Sequence, residues 1–139
     1  MTVPGTFRAA VESKDLAAIT GTLDPAIEFH SPVMVKPYQG RDAVTALLRV
    51  LLEVFEDFHY TDELVGSAPA GRSDPPGGPP AQALIFSARV MGKHVQGLDL
   101  IRFNDAGLVT GLTVMVRPLP AAMTLARLVG RRMEANESA

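Results

Sequence analysis

Apolar residues recur at two spacings along this chain, and the change falls near Phe58. Before it the spacing is three to four, the period of an amphipathic helix; after it the spacing is two, that of a strand with one buried face. Thr6 to Ser13 places Phe7, Ala10 and Val11 on one helical face. Asp15 stands where a side chain can accept from the free amides of a helix, and the short helix it starts carries Leu16, Ile19 and Leu23 up to a stop at Asp24-Pro25. Ala26 to His30 reads as a short strand ended by Ser31-Pro32. After a turn-rich stretch to Gly40, Asp42 suits a helix N-terminus, and residues 43–56 carry Val44, Leu47, Leu48, Leu51, Leu52 and Phe55 as a broad apolar stripe.

From Phe58 the alternation predicts four strands: Phe58–Gly66, Gln82–Met91, His94–Phe103 and Leu108–Arg117. Gly92-Lys93 and Asn104-Asp105-Ala106-Gly107 supply the hairpin turns. Ser67–Ala81 reads SAPAGRSDPPGGPPA and, with its prolines and glycines, predicts a long exposed hairpin connection rather than a domain linker. Pro118 and Pro120 end the last strand, and Ala121 to Met133 forms a final helix. The expected fold class is α+β, one domain over residues 1–139, with helices covering one face of a curved antiparallel sheet.

Composition narrows the function. The chain has 139 residues, no Cys and a net charge of −2. Thiolate chemistry and cysteine zinc sites are excluded, and a near-neutral balance argues against a general binder of nucleic acid or anionic membranes. The N-terminal residues lack a basic run followed by an apolar stretch, and no segment is long and apolar enough to span a bilayer. A cytoplasmic protein is the expectation. Hydrophobic residues make up 47% of the chain, a large share for so small a domain.

Strand parity isolates Asp99. It shares a face with Val95, Gly97, Ile101 and Phe103, as the only ionisable group among them. A carboxylate on such a face is paired, solvated by a cavity, or neutralised by desolvation. A purely structural Asp held by Ser, Thr or Arg neighbours is the simpler account.

The order of elements, with GRDAV at the start of the long helix and GLDLIRFNDAGLV across the last hairpin, resembles the SnoaL-like branch of the nuclear transport factor 2-like superfamily from Phe7 to Val116. The resemblance implies a cone-shaped α+β barrel: a strongly curved antiparallel sheet wraps around N-terminal helices, a C-terminal helix follows, and a deep apolar pocket remains. The superfamily includes ketosteroid isomerase, polyketide cyclases, limonene epoxide hydrolase and scytalone dehydratase, so the fold leaves the activity open. Residue by residue, LDLIRF places Asp99 where ketosteroid isomerase carries a protonated Asp. The tyrosine position of the first helix holds Phe7, and the base position before the proline holds Ser31. The acidic position of SnoaL-type cyclases falls on Arg117. Gly97 replaces the Arg two residues before the Asp in limonene epoxide hydrolase.

The site candidates are therefore Asp99, His30 and Ser31 as catalytic groups. His30 titrates in the right range but alternates away from Ile27 and Phe29, which leaves Ser31 as the inward residue. A pocket lined by Phe7, Tyr38, Phe55, Phe86, Phe103, Leu112, Val114 and Val116 would hold a small hydrophobic molecule. His59 and His94 read as surface residues, and no metal or cofactor is expected. Arg117 lies with Thr113 and Met115 on the outer sheet face, which the resemblance makes a homodimer surface. The first function expected is binding of a hydrophobic ligand. The alternative is an isomerase, cyclase or hydrolase acting on a carbonyl or polycyclic substrate with Asp99 as acid or hydrogen-bond donor.

Overall fold

The computed structural model describes residues 5–67 and 80–138. Along the chain these form α1 (Gly5–Ser13), α2 (Leu16–Thr20), β1 (Leu23–His30), β2 (Tyr38–Gln39), α3 (Arg41–Val54), β3 (Glu56–Ser67), β4 (Pro80–Val90), β5 (Lys93–Phe103), β6 (Val109–Arg117) and α4 (Leu119–Ser138). The fold is α+β: one six-stranded curved sheet in the order β2-β1-β6-β5-β4-β3. It does not close into a barrel, because β2 and β3 remain separate edges. Nor is it wholly antiparallel, since β1 runs parallel to β6.

That topology follows from α3. The chain leaves β1 through the short β2, crosses the concave face as α3, re-enters the sheet at the far edge as β3, and returns through three antiparallel pairings until β6 meets β1. Val44, Leu47, Val50 and Val54 of α3 are buried, the heptad-like spacing that lets one helix lie in the hollow of a curved sheet. Ile27 and Phe29 of β1, Leu84 and Phe86 of β4, Val95 and Ile101 of β5, and Leu112 of β6 meet them from the sheet.

Several boundaries differ from the sequence pattern for identifiable reasons. Asp15 accepts from the amides of Ala17 and Ala18, as its position predicts, but α2 ends at Thr20. Leu23 belongs to β1, where it is fully buried. Pro25 lacks an amide to donate, and the β1–β6 register breaks between Leu23 and Glu28 instead of ending the strand there. The β4–β5 turn is centred on Met91-Gly92, not Gly92-Lys93, with both residues at positive φ as a type I′ turn requires. The Pro/Gly-rich segment is narrower than its composition suggests: Ser67 pairs with Pro80 and Gly66 with Ala81, while residues 68–79 lie outside the described part. Proline is tolerated as the first residue of a strand. The last helix runs from Leu119, two residues earlier than expected, to Ser138.

β3 carries two register shifts against β4. One falls at Asp57, held at positive φ; the other falls at Thr61, between Tyr60 and Asp62. Each inserts one residue and reverses the inward–outward alternation beyond it. Consequently Tyr60 points inward, and so does Glu63 three residues later, where Glu63 Oε1 accepts from Gln82 Nε2 at 3.0 Å. No described helix is long and apolar enough to cross a membrane.

Candidate functional site

The concave side encloses a cavity of about 270 Å³ between the sheet, α1 and the end of α3. Its walls are apolar over most of their extent: Phe7 and Val11 from α1, Leu48, Leu51 and Leu52 from α3, then Phe55, Phe58, Phe86, Leu112 and Val114. Aromatic rings form the densest part. Phe58 lies 4.8 Å from Phe86, and Phe55 lies 5.5 Å from both. Gly97 makes this possible, because a Cβ on it would collide with the end of the Phe86 ring, at Cζ. The tip of the Phe86 ring thus occupies the space a side chain at position 97 would need.

Asp99 stands in this wall. It pairs with Leu84 on one side and Val114 on the other, and only 7% of its surface is exposed. Its hydrogen-bonding partner is Tyr60, whose hydroxyl reaches across β4 to donate to Asp99 Oδ2 at 3.2 Å. Burial pushes the Asp99 carboxyl up to about 7, and the Tyr60 hydroxyl pulls it partly back by stabilising the charged form. The Tyr60 phenol is itself raised, first by burial and then by the neighbouring Asp99, so it remains a neutral donor. Near neutrality the pair therefore holds either one exchangeable proton, on Tyr60, or two. The protonated form offers a cavity-side oxygen two O–H donors, while the ionised form offers a carboxylate acceptor.

Tyr60 is braced from behind. The Arg8 guanidinium sits 5.7 Å from the centre of its ring, and Arg8 pairs with Glu63 at 3.2 Å and Glu12 at 3.4 Å. Glu12, Lys14 and His59 are exposed residues that line the cavity where it meets solvent. A second cavity of similar size lies on the far side of Phe29, Leu51, Phe55 and Val114, beneath α4. Among the described residues no group of three His, Asp or Glu side chains is placed to hold a metal.

Comparison with known proteins agrees with this architecture. The family model for a SnoaL-like domain matches residues 5–72. A solved structure of a steroid delta-isomerase from Pseudomonas aeruginosa is 34% identical, with a TM-score of 0.80 over 96% of this chain and 90% of that one. The chain belongs to the SnoaL-like branch of the nuclear transport factor 2-like superfamily. A protein with a cystatin-like fold from Silicibacter pomeroyi is 25% identical, with a TM-score of 0.81 over 96% of this chain and 86% of that chain. A Mycobacterium tuberculosis protein solved with estradiol-17β-hemisuccinate shares the fold at 16% identity and a TM-score of 0.60, over 84% and 91% of the two chains. No curated protein is similar enough in sequence to match.

Within this SnoaL-like frame the residues singled out from sequence fall in different places. Phe7, Phe55, Phe86, Leu112 and Val114 line the first cavity with Asp99. Tyr38 lines the second. Phe103 is buried but lines neither, because it lies four residues along β5 from Asp99, about 13 Å of extended chain. Val116, paired with Gly97, is half-buried and also lines neither. His30 turns outward and its Nε2 lies 3.2 Å from Glu28, both side chains about half exposed. Ser31 lies on the wall of the second cavity, and its hydroxyl accepts from the amides of Val33 and Met34. A layer of apolar side chains separates it from Asp99. Arg117 is exposed on the outer face beside Gln96. The residue that sequence reasoning missed is Tyr60, whose shared parity with Phe58 was the available signal.

Proposed function

We propose that this protein binds a small hydrophobic molecule bearing one polar oxygen, seated with that oxygen against the Tyr60–Asp99 pair. The carrying observation is the hydrogen bond between these two side chains, on the wall of a cavity otherwise lined by apolar groups. A buried carboxyl with a single hydrogen-bond partner among the described residues retains unused capacity, and a ligand carbonyl or hydroxyl would take it up. The bound steroid ester in the Mycobacterium tuberculosis structure supports a ligand of this class. Calorimetric titration with acetophenone, a minimal aryl ketone, tests the reading. Tyr60→Phe should weaken binding at least about tenfold, the effect of losing a hydrogen bond to a buried group. Equal affinity in the two proteins would remove the pair from the binding site.

A second reading is favoured by the identity to the steroid delta-isomerase. Two donors at a carbonyl oxygen stabilise the enolate that forms when a neighbouring carbon loses its proton. Abstraction also needs a base. Ser31 and His30 are not on the first cavity, whereas Glu12 and His59 are. An isomerase here would thus use Asp99 as hydrogen-bond donor and one of these two as the proton carrier. Ligand binding alone requires fewer groups and is the preferred account.

The protein is further proposed to act in the cytoplasm as a homodimer through its outer sheet face. That face presents half-buried Leu98 and Leu100 and exposed Met115. Light scattering at micromolar concentration should return about twice the monomer mass, and a monomer would refute the dimer.

A further inference from the structure

Gly130 occupies an interior position of α4, where glycine costs up to about 1 kcal/mol relative to alanine. A Cβ on Gly130 would meet nothing within 4 Å. Neither crowding nor a left-handed backbone calls for glycine at this place. What Gly130 does is line the second cavity, together with Ala126 one turn earlier. Gly130 is exposed at the rim of that chamber and Ala126 is half-buried in its wall, so a bulky side chain at either position has room to cover it.

The chamber has a distinct character. It measures about 270 Å³, and its walls are mainly hydrocarbon: Leu47 and Leu51 below, Leu125, Val129 and Met133 of α4 above. Its polar groups are few: the Ser31 hydroxyl, which already accepts two amides, the Tyr38 phenol, and exposed Glu134. Val33 and Met34 line it while remaining about half exposed, so the rim is apolar too. The partition from the Asp99 cavity is one layer of side chains, Phe29, Leu51, Phe55 and Val114, of which Leu51 and Phe55 are only half-buried. Phe55 is half-buried, follows the last turn of α3 in extended conformation, and touches the ring cluster from one side. A rotamer change of such a ring takes place far faster than ligand exchange. Each chamber alone falls just short of the roughly 300–1,000 Å³ of a small-molecule pocket, and the two together fall within it.

We infer that the two cavities serve one ligand: an elongated molecule whose polar head meets Tyr60 and Asp99 and whose hydrocarbon tail passes Phe55 into the chamber beneath α4, kept open by Gly130 and Ala126. The inference rests on the binding reading above and adds the shape of the ligand. A series of phenyl ketones, acetophenone through butyrophenone and hexanophenone to octanophenone, titrated calorimetrically at pH 6, tests it. In the native protein affinity should keep rising about three- to fourfold per methylene past butyrophenone. Gly130→Phe should bind acetophenone as the native protein does but lose the gain for the longer members, and Ala126→Leu, with less added bulk, should lose part of it. An affinity that levels off at butyrophenone in the native protein, or a gain that survives both substitutions, overturns the tail chamber. Failure of the head reading is separate, because it appears as acetophenone affinity unchanged in Tyr60→Phe while the chain-length series still reports on the chamber.

Discussion

Asp99→Asn should stabilise the protein above neutrality, although it removes the one buried ionisable group of its strand. The folded carboxyl titrates at about 7, whereas an unfolded Asp titrates at about 3.9. A raised pKa means that folding favours the protonated form. Native stability is therefore highest below about pH 4, falls as pH rises from there to about 7, and is level above, where both states are ionised. Three pKa units correspond to at most about 4 kcal/mol of penalty at pH 8. Asparagine escapes that penalty and can still accept from the Tyr60 hydroxyl, but its amide hydrogens lack a partner, at a cost of about 1–3 kcal/mol. A net gain of about 1–3 kcal/mol remains, or roughly 4–12 °C in Tm. At pH 4 the sign should reverse, since there the native carboxyl is already neutral. Thermal melts of both proteins at pH 4, 6 and 8 check this. Destabilisation at every pH would mean that Asp99 is a structural anchor.

Such a crossover would explain why this wall holds an acid at all. Leu84 and Val114 flank Asp99, and a hydrophobic residue there would extend the core without a desolvation cost. A group that lowers stability near the working pH is a common mark of a site shaped by another requirement.

The alternation along β5 was enough to place Asp99 inward, because a strand without bulges keeps period two from Val95 to Phe103. The helix α3 was legible for a similar reason, as its apolar stripe is long and unbroken. Tyr60 was not legible as a partner. It lies 39 residues from Asp99, on a strand that does not border β5, and the meeting depends on β4 separating them by only two strand spacings. Glu63 was hidden by the bulge at Thr61, which no simple parity count anticipates. The tail of the pocket was hidden differently. Gly130 and Ala126 read as unremarkable small residues until the packing of α4 over Phe29 and Val114 gives them a cavity to face. The carried-over base position, Ser31, lies on the chamber beyond Phe55, a separation that strand parity alone does not reveal.

Ketone binding should be nearly independent of pH below about 7 and then weaken towards tenfold per unit, so that acetophenone loses roughly 50-fold between pH 7 and pH 9. A ketone oxygen accepts but cannot donate. It is served by the protonated Asp99, whose O–H joins that of Tyr60, and it is opposed by the ionised carboxylate, which claims the Tyr60 proton for itself. The slope begins at the pKa of the free protein, about 7, and ends at the higher pKa of the complex, where the ligand has excluded the last solvent. A phenol reverses the preference, because its hydroxyl donates to the carboxylate; its affinity should rise through the same window. Tyr60→Phe sharpens the test further. The Tyr60 hydroxyl is what draws the Asp99 pKa down, so its loss should move the break in the ketone profile above 7 while lowering the plateau on the acidic side. Opposite slopes for ketone and phenol, both displaced upward by the one substitution at Tyr60, cannot arise from general unfolding or from a titrating ligand. Flat profiles for both ligands would mean that Asp99 does not meet the bound oxygen.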